Sequence, residues 1–444
     1  MAKQSKSKKP ITQANKAEIK IRRWLIALPL IAFVIKLITM ANIEGGIWAG
    51  ADAENYLKGV DGLYAEGLFS EASILNYWPA GYPILLWILA LISTANFFYL
   101  IGFVQSIFFA YATYFLTKNI AKTNVAWLAI STSLIISFNP TLSLSSLAIG
   151  YEAPVAACFM MLLGVIIASR LNPTKPQYLY AIYAGAWITL SAFMQPRYLL
   201  SGFVVVFLWA LTFASKNFAI KLALLASVVA LISPAVLVAR NAVAIDKPII
   251  STNFAVAINY GAGEQATGGY ARVGDFVPCP PRPPATVVSD NQTIACVLKW
   301  YLENPLKTVK LSLNKSEFFW SPWSGPLANG TMARNPWLKI APTQNIAKSE
   351  SGARLVAGPI GKFVSWLWII GQIGLLFYGF LALRRGDQTS KLIANVALSS
   401  VVVSWLISVG TIGDHRFRVP TMCLSLLLQV AGMLQIKWKL SKAL

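Results

Sequence analysis

Residues 24–41 read WLIALPLIAFVIKLITMA, an apolar run that carries a single charge at Lys36. About 20 helical residues cross the core of a bilayer, whereas a strand of a membrane barrel needs only about 10. Backbone groups inside the bilayer must be paired within the protein, which restricts the choice to helices and closed barrels. The length of this run therefore predicts a membrane-spanning α-helix. It is longer than the apolar core of a signal peptide and no clear cleavage site follows it, so we expect it to be retained.

Runs of this kind recur along the 444-residue chain, which is 56% hydrophobic and 12% charged. A soluble protein carries about 25% charged residues. The sequence therefore predicts an all-α polytopic membrane protein with about ten spans, without the inverted repeats that mark many transporters. The predicted spans are 23–41, 99–117, 125–142, 153–169, 178–195, 198–214, 219–238, 360–382, 391–409 and 419–436.

The net charge of +21 resides in short loops and at the two ends of the chain. Lysine and arginine mark the cytoplasmic side of a membrane protein, so the charge is explained by orientation and no nucleic-acid partner is expected. With the N-terminus inside, the alternation of spans also places the C-terminus inside. The pairs that then fall inside are Lys118 and Lys122, Arg170 and Lys175, Lys216 and Lys221, Arg384 and Arg385, and Lys437 and Lys439.

Four regions follow from this topology in the plasma (inner) membrane. Residues 1–22 form a basic cytoplasmic tail that we expect to touch anionic membrane lipid. Residues 23–238 form a transmembrane core that includes an outer loop at 42–98, and 239–359 form a large second outer segment. Residues 360–444 hold the last helices and a basic tail. Within the first outer loop, a crossing by the apolar run Ala80–Phe97 would invert every later loop, so we interpret it as a re-entrant or interfacial helix.

Two acids stand at predicted outer ends of spans. Asp52 follows the first span, and a carboxylate close to the membrane surface can serve as a general base or hold a metal. Glu54 and Tyr56 follow it directly. Glu152 opens the fourth span, where it is either a second acid of the site or an acid favoured by the helix dipole.

Cations also stand on the outer side, against the usual charge bias. Arg197 ends the fifth predicted span, and His415, Arg416 and Arg418 precede the last one. Arginine binds phosphate through two parallel hydrogen bonds, although an arginine at a span end can instead reach lipid headgroups. His415 is the only histidine, which is too few for a typical zinc site. It either assists a phosphate or caps a loop.

The outer segment holds two of the four cysteines, Cys279 and Cys296. If the outer compartment is oxidising, the two can pair and close a loop. Such a bridge would contribute about 3 kcal/mol of stability.

The order of these motifs along the chain resembles that of the C-type (GT-C) membrane glycosyltransferases, which include protein O-mannosyltransferases and lipid A aminoarabinose transferases. An acid and a tyrosine in the first outer loop, followed by a glycine and a proline-rich turn into an apolar helix, are typical of that superfamily. The matching segments are Asp52 to Tyr56, Gly67, Tyr77 to Pro83, Ile250 to Asn253, Gly261, Ala266 to Tyr270, Asn304-Pro305 with Lys315, Phe319-Trp320, and Arg416 to Pro420.

The resemblance implies transfer of a sugar, with inversion, from a polyprenyl-phosphate donor to a hydroxyl of a glycan, lipid or protein of the cell envelope, on the outer face. It implies Asp52 as the base and Glu152 as a second catalytic acid. The residues predicted to bind the substrates are Glu54, Tyr56, Arg197, His415, Arg416 and Arg418. The enzyme would work either without a cofactor or with a divalent metal.

Two alternatives belong to other functional classes or reactions. A transporter of polysaccharide or lipid-linked sugar would bury ionisable groups near the middle of the bilayer and show repeats. An O-antigen-type polymerase would rely on outer arginines without an acid in the first loop.

Overall fold

The computed structural model describes residues 13–43, 45–49, 52–269, 279, 290–320 and 358–443. Across these ranges the backbone is mainly helical, and its two strands are two residues long each. The predicted all-α polytopic architecture is confirmed. Residues 1–12 of the predicted basic tail lie outside the described residues, and helix begins at Gln13, ten residues before the predicted span.

The helices and strands of the described residues follow in chain order. The first part contains α1 (Gln13–Ala41), β1 (Trp48–Ala49), α2 (Ala53–Glu66), α3 (Ser73–Tyr77), α4 (Gly81–Ile92), α5 (Phe97–Ile120), α6 (Ala129–Phe138), α7 (Pro140–Leu144) and β2 (Ala148–Ile149). The middle part contains α8 (Glu152–Leu171), α9 (Gln177–Met194), α10 (Leu199–Ala210), α11 (Lys216–Ala230), α12 (Ile232–Ile245), α13 (Asn253–Tyr260), α14 (Asp290–Glu303) and α15 (Pro305–Trp320). The last part contains α16 (Gly358–Arg384), α17 (Gln388–Gly410) and α18 (Val419–Ala443); the 3₁₀ turns are Ala126–Leu128, Ser145–Leu147, Pro196–Tyr198 and His415–Arg418.

In the described part of the chain, seven helices are long and apolar enough to cross a membrane. They are Ile19–Ala41, Phe97–Ile120, Glu152–Leu171, Lys216–Ile245, Trp366–Arg384, Gln388–Gly410 and His415–Lys437. Each overlaps one of the ten predicted spans. The predicted spans 178–195 and 198–214 correspond to α9 and to a shorter apolar helix, Pro196–Ala210.

The predicted span 125–142 is broken rather than continuous. Two helical pieces, Ala126–Phe138 and Pro140–Leu147, meet at an angle of 56°. The cause is Pro140, which has no backbone N–H and pushes the preceding residue out of helical conformation. Asn139 accordingly has an extended backbone, and its side-chain oxygen accepts a 2.8 Å hydrogen bond from the Leu142 N–H. The chain thus bends between two apolar helical pieces before it reaches β2.

Helix α4 is the counterpart of the predicted re-entrant or interfacial run Ala80–Phe97. Its 12 residues rise about 18 Å, which is short of the roughly 30 Å needed to cross a bilayer core. The helix ends at Ile92, with Ser93 as its C-cap, before α5 begins at Phe97. Its Gly81 lies against the backbone of Phe193 at the end of α9, where a Cβ would overlap the Phe193 carbonyl oxygen.

Helix α8 is the centre of the bundle. In α8, 83% of the most apolar 18-residue stretch is buried inside the protein, whereas the corresponding share for Trp366–Arg384, the last part of α16, is 22%. Small residues such as Gly164 allow this enclosure, because a Cβ there would overlap the ring of Phe115 on α5. Since Glu152 is the first residue of α8, its carboxylate is carried on the most enclosed of the candidate spans in the described chain.

Loops that the charge pattern predicts to share one side do meet at one end of the bundle. Asn124, after α5, donates a 3.0 Å hydrogen bond to Asp387, before α17. Arg170, at the end of α8, donates a 2.8 Å hydrogen bond to Gln388. This agreement concerns which loops lie together, and the side of the membrane that they face stays a prediction.

Helices α16 and α18 run side by side and touch through glycine. A Cβ at Gly379 would overlap the carbonyl oxygen of Leu428, and one at Gly432 would overlap that of Leu375. Small residues at such crossings allow two backbones to approach closely inside a membrane. This contact holds the two helices together just beyond the place where a groove opens between them.

We expect Gly379→Ala to lower the free energy of unfolding by about 1–3 kcal/mol, because the added methyl group overpacks the α16–α18 contact. Gly371→Ala on the same helix is the matched control, since no atom lies within 4 Å of a Cβ built there. Removing that glycine from a helix interior should stabilise by about 0.5–1 kcal/mol. Thermal unfolding in detergent measures both variants, and equal effects would contradict the close contact.

Candidate functional site

The two strands bring the two predicted acids together. In the parallel pairing of β1 with β2, Trp48 lies opposite Ala148 and Ala49 opposite Ile149. Three residues beyond each strand stands an acid, Asp52 or Glu152. Each acid also begins a helix, since Asp52 is the N-cap of α2 and Glu152 is the first residue of α8. The positive ends of both helix dipoles favour negative charge there.

Arg416 lies between these two carboxylates. Its Nη2 forms an ion pair with Asp52 Oδ2, and its Nε lies 2.7 Å from Glu152 Oε1. The side chains of Glu152 and Arg416 are 3% and 5% exposed, whereas that of Asp52 is 15% exposed. The guanidinium carbon is 5.5 Å from the centre of the Tyr151 ring. Residues 364 positions apart in the sequence therefore form one buried cluster.

The backbone around Arg416 is held by side chains from several elements. Asp414 caps the 3₁₀ turn, and its Oδ1 accepts a 2.8 Å hydrogen bond from the Arg416 N–H. The carbonyl oxygen of Phe417 accepts hydrogen bonds from Tyr198 Oη at 3.2 Å and from Ser404 Oγ at 2.8 Å. These bonds fix the direction in which the guanidinium points.

Tyr56 and Tyr82 pack behind the acids. Their rings meet edge to face with centroids 4.9 Å apart. Burial raises the pKa of the Tyr56 phenol, and the nearby Asp52 charge raises it further, so this group stays protonated. Tyr82 Oη accepts a 2.9 Å hydrogen bond from the Gly150 N–H, which fixes the loop that leads to Glu152.

Arg197 lies beside the cluster without joining the ion pairs. Its guanidinium carbon stacks 3.8 Å from the centre of the Phe417 ring. Its Nη1 is buried and has no hydrogen-bond partner among the described residues. The structure therefore brings Arg197 and Arg416 to the same turn, with Arg197 available to an incoming anion.

Arg418 and His415 line an apolar groove of about 260 Å³ at the end nearest the start of α18, which is called the mouth of the groove. Arg418 Nη1 donates a 3.2 Å hydrogen bond to the Trp320 carbonyl oxygen, and His415 Nδ1 lies 3.3 Å from Asp414 Oδ1. The groove runs between α16 and α18 and beside the break before Pro140. Its lining residues are Asn139, Pro140, Thr141, Trp320, Trp368, Ile369, Gln372, Ile373, His415, Arg418, Val419, Met422, Ser425, Leu426 and Gln429.

Glu54 is the one predicted site residue that lies outside this arrangement. Its side chain is 81% exposed and forms an ion pair with Lys58 one helical turn further on. The reason is helical geometry, because consecutive positions on α2 point to different faces and Tyr56 takes the inward one. Tyr270, from the motif of the second outer segment, lies outside the described residues.

Within the predicted second outer segment, Cys279 and Cys296 form a disulfide, and their Cα atoms are 6.0 Å apart. Asn259 on α13 donates a 3.1 Å hydrogen bond to the Cys279 carbonyl oxygen. Val297 and Ala262 are buried beside the bridge. The disulfide thus joins Cys279 to α14, and the Asn259 hydrogen bond joins Cys279 to α13.

Lys315 connects this segment to the bundle. Its side chain is buried, and its Nζ donates to Tyr301 Oη at 2.9 Å and to the Val409 carbonyl oxygen at 3.0 Å. Burial lowers the pKa of the ammonium group to about 7. Because the unfolded chain binds this proton more strongly, the cost to stability is complete below pH 7 and disappears as the pH rises through 10.5.

We expect Lys315→Met to flatten the pH dependence of stability. In the wild-type protein, stability should rise by at most about 1.4 kcal/mol per pH unit because of this group, over the interval from pH 7 to pH 10.5. Denaturant unfolding across that interval measures the slope. Lys310→Met, at an exposed position of the same helix, is the matched control. An unchanged slope in Lys315→Met would contradict the buried titration.

Sequence reasoning missed several residues that build the site. Asp414 caps the Arg416 turn, Tyr82 supports the Glu152 loop, and Tyr151 lies against the guanidinium. The Asp414 cap was readable, since aspartate before a short helical turn is a common N-cap. The other two act across the fold and leave no local pattern.

No family model matches this chain, and no curated protein matches it. Among solved structures, it is similar to the oligosaccharyltransferase of Archaeoglobus fulgidus in the apo form, with a TM-score of 0.48 and 15% identity over 95% of this chain and 51% of that one. It is also similar to the archaeal oligosaccharyltransferase AglB from Archaeoglobus fulgidus in complex with an inhibitory peptide and a dolichol-phosphate, with a TM-score of 0.46 and 14% identity over 95% and 52% of the two chains. A third structure, of the Archaeoglobus fulgidus enzyme in complex with Zn and sulfate, gives a TM-score of 0.47 and 14% identity over 95% and 49%. The chain spans about half the length of these proteins.

Proposed function

We propose that the protein is a membrane glycosyltransferase that moves a sugar from a polyprenyl-phosphate donor to a hydroxyl acceptor, with inversion at the sugar carbon. One observation carries the proposal: the Asp52–Arg416–Glu152 cluster adjoins an apolar groove whose mouth is lined by Arg418 and His415. An acid for proton removal, cations for a phosphate and a channel for a lipid therefore meet at one end of the bundle.

Asp52 is the acid suited to act as the base. Its side chain is 15% exposed while that of Glu152 is 3% exposed, so an acceptor reaches Asp52 first. As the acceptor oxygen bonds to the sugar carbon, its proton passes to Asp52. The bond from that carbon to the phosphate oxygen breaks, and the electron pair leaves with the polyprenyl phosphate. Glu152 acts through Arg416 as a positioning residue.

Arg197 and Arg418 are the cations for the donor phosphate. Neither forms an ion pair with an acid in the described part of the chain, unlike Arg416. The leaving phosphate gains charge in the transition state, so fixed guanidinium groups stabilise that state more than the bound donor. His415, at the same mouth, is placed to contribute a further hydrogen bond.

The groove suits the part of the polyprenyl chain next to the phosphate. Its walls are mainly apolar side chains of α16 and α18, and it extends from Arg418 down to Gln429. These positions of α18 follow the helical repeat from Val419 through Met422 and Leu426, so one face of the helix lines the groove. The acceptor, whether glycan, lipid or protein, would enter on the side of Asp52.

The shared location of the site residues supports the predicted topology, in which all of them face the outer side of the plasma membrane. Asp52, Glu152, Arg197 and Arg416 lie at one end of the bundle, and the loops joined through Asp387 and Arg170 lie together elsewhere. Both termini would then be cytoplasmic.

A direct test is donor transfer with the purified protein in lipid nanodiscs. We expect Arg418→Ala to weaken binding of a polyprenyl-phosphate sugar and to reduce transfer of its labelled sugar, because the groove mouth loses its cation. Arg385→Ala, an exposed arginine after α16, is the control and should behave as wild type. A photoreactive polyprenyl phosphate should crosslink to Met422 or Leu426. Crosslinks confined to other helices would contradict the groove.

The alternative of a lipid-linked-sugar transporter has one supporting observation. Lys36 lies within a candidate span, is 2% exposed and stacks 4.3 Å from the centre of the Phe109 ring. Buried charges inside spans often belong to transport pathways. The same nanodisc assay separates the two functions, since a transporter would bind the donor without cleaving its sugar–phosphate bond.

A further inference from the structure

Two carboxylates that share a buried place commonly hold a divalent cation between them. Asp52 and Glu152 form such a pair at the paired ends of β1 and β2. In this protein the place between them is filled by a side chain of the protein itself. Both the Nη2 and the Nε of Arg416 contact the carboxylates, one each.

The Arg416 guanidinium lies in the space between the acids where a bridging metal ion would bind. A magnesium ion that bridged the acids would lie about 2.0–2.1 Å from their oxygens, and a calcium ion about 2.3–2.6 Å. The Arg416 guanidinium fills the space between Asp52 and Glu152 that such an ion would need. The other oxygen of Glu152 packs against Gly150, where even an added methyl group would overlap it. Among the described residues, no group of three His, Cys, Asp or Glu side chains is arranged to hold a metal ion.

Arg416 is also held in place, so it does not swing aside as a side chain on the protein surface could. Its backbone is held by the Asp414 cap, and the next residue is held by Tyr198 and Ser404. A divalent cation added to the intact cluster would lie against a buried positive charge. Like charges at such short range repel strongly away from water.

We propose that Arg416 takes the place of a divalent metal at this site, so that the protein neutralises Asp52 and Glu152 with a built-in guanidinium and needs no metal ion there. The inference rests on the proposed function for its meaning in catalysis, but the metal-binding claim stands on the cluster alone. Sequence reasoning left a divalent metal open because it could not show what lies between the acids.

Binding of Mn²⁺, followed by electron paramagnetic resonance of the free ion, tests the proposal with the full-length protein in detergent. The wild-type protein should take up no stoichiometric Mn²⁺ that depends on Asp52. Arg416→Ala should gain one Mn²⁺ per chain, because it bares both carboxylates, and the double variant Arg416→Ala with Asp52→Asn should lose it again. Arg385→Ala, which removes an exposed arginine, should bind like wild type.

Stoichiometric Mn²⁺ on the wild-type protein that disappears in Asp52→Asn would overturn the proposal, and this comparison holds even if Arg416→Ala fails to fold. A folded Arg416→Ala variant that gains no Mn²⁺ would also overturn it. A transfer assay after treatment with EDTA adds the functional arm, in which activity should be retained. Absence of transfer from every donor would count against the proposed function and leave the Mn²⁺ result standing.

Discussion

Arg416→Ala should abolish sugar transfer and lower the free energy of unfolding by about 3–5 kcal/mol, the cost expected when one partner of a buried ion pair is removed. The variant leaves Asp52 and Glu152 facing each other with no cation between them. Glu152 is 3% exposed, so water cannot take over the role of the guanidinium. Among the ion pairs of the described residues, Arg416 is the cation that contacts two carboxylates.

Two further variants separate the loss of charge from the loss of the guanidinium shape. Arg416→Lys retains a positive charge but presents a single ammonium group, which cannot reach both acids as a planar guanidinium does. Combining Arg416→Met with Asp52→Asn and Glu152→Gln should recover much of the lost stability, because no charge is then buried alone. Denaturant unfolding provides the free energies. A loss below about 1 kcal/mol in Arg416→Ala, the size typical of an exposed pair, would show that the cluster is open to solvent.

Asp52→Asn should reduce transfer by about 10²–10⁴-fold, the usual contribution of a general base. The amide has nearly the same shape and still accepts a hydrogen bond from Arg416, but it cannot take the proton of the acceptor hydroxyl. Donor binding should persist, since Arg197 and Arg418 are untouched. The measurement is the initial rate of transfer at saturating donor, together with the affinity for the donor.

Asp61→Asn provides the matched control for this prediction. It removes an aspartate from the same helix, α2, at an exposed position away from the cluster. Its transfer rate should equal that of the wild type. If Asp52→Asn retains a wild-type rate, another group must remove the proton, and Glu152→Gln becomes the variant to examine next.

Much of the fold could be predicted because each membrane span is encoded by one continuous stretch of sequence. The length of residues 24–41 and of the other long apolar runs is enough to predict helices. The charges of the later loops predict that α4 does not span the membrane. The break at Asn139-Pro140 was missed, although Asn-Pro is a known turn signal. The residues on both sides of Pro140 are strongly apolar, so the stretch was predicted as one continuous span although the proline ends the helix there.

The site was predictable as a set of residue types and not as an arrangement. Asp52, Glu152 and Arg416 stand out because charged residues at span ends are costly unless they are used. That they contact one another depends on a register of two residues between β1 and β2, which no local pattern encodes. Glu54 shows that closeness in the sequence is also a poor guide, since it lies near Asp52 in the chain but outside the cluster.

The equal spacing from each strand to its acid has a consequence for how this chain tolerates insertions and deletions. Asp52 and Glu152 both follow their strands by three residues, and each begins a helix that turns about 100° per residue. One residue gained or lost between Ala49 and Asp52 would shift that carboxylate relative to the β1–β2 pair and away from Arg416. The same change after Glu66, beyond the end of the helix, would leave the cluster untouched. Related chains that keep this chemistry should therefore vary freely in the length of the rest of the loop while holding both three-residue intervals constant.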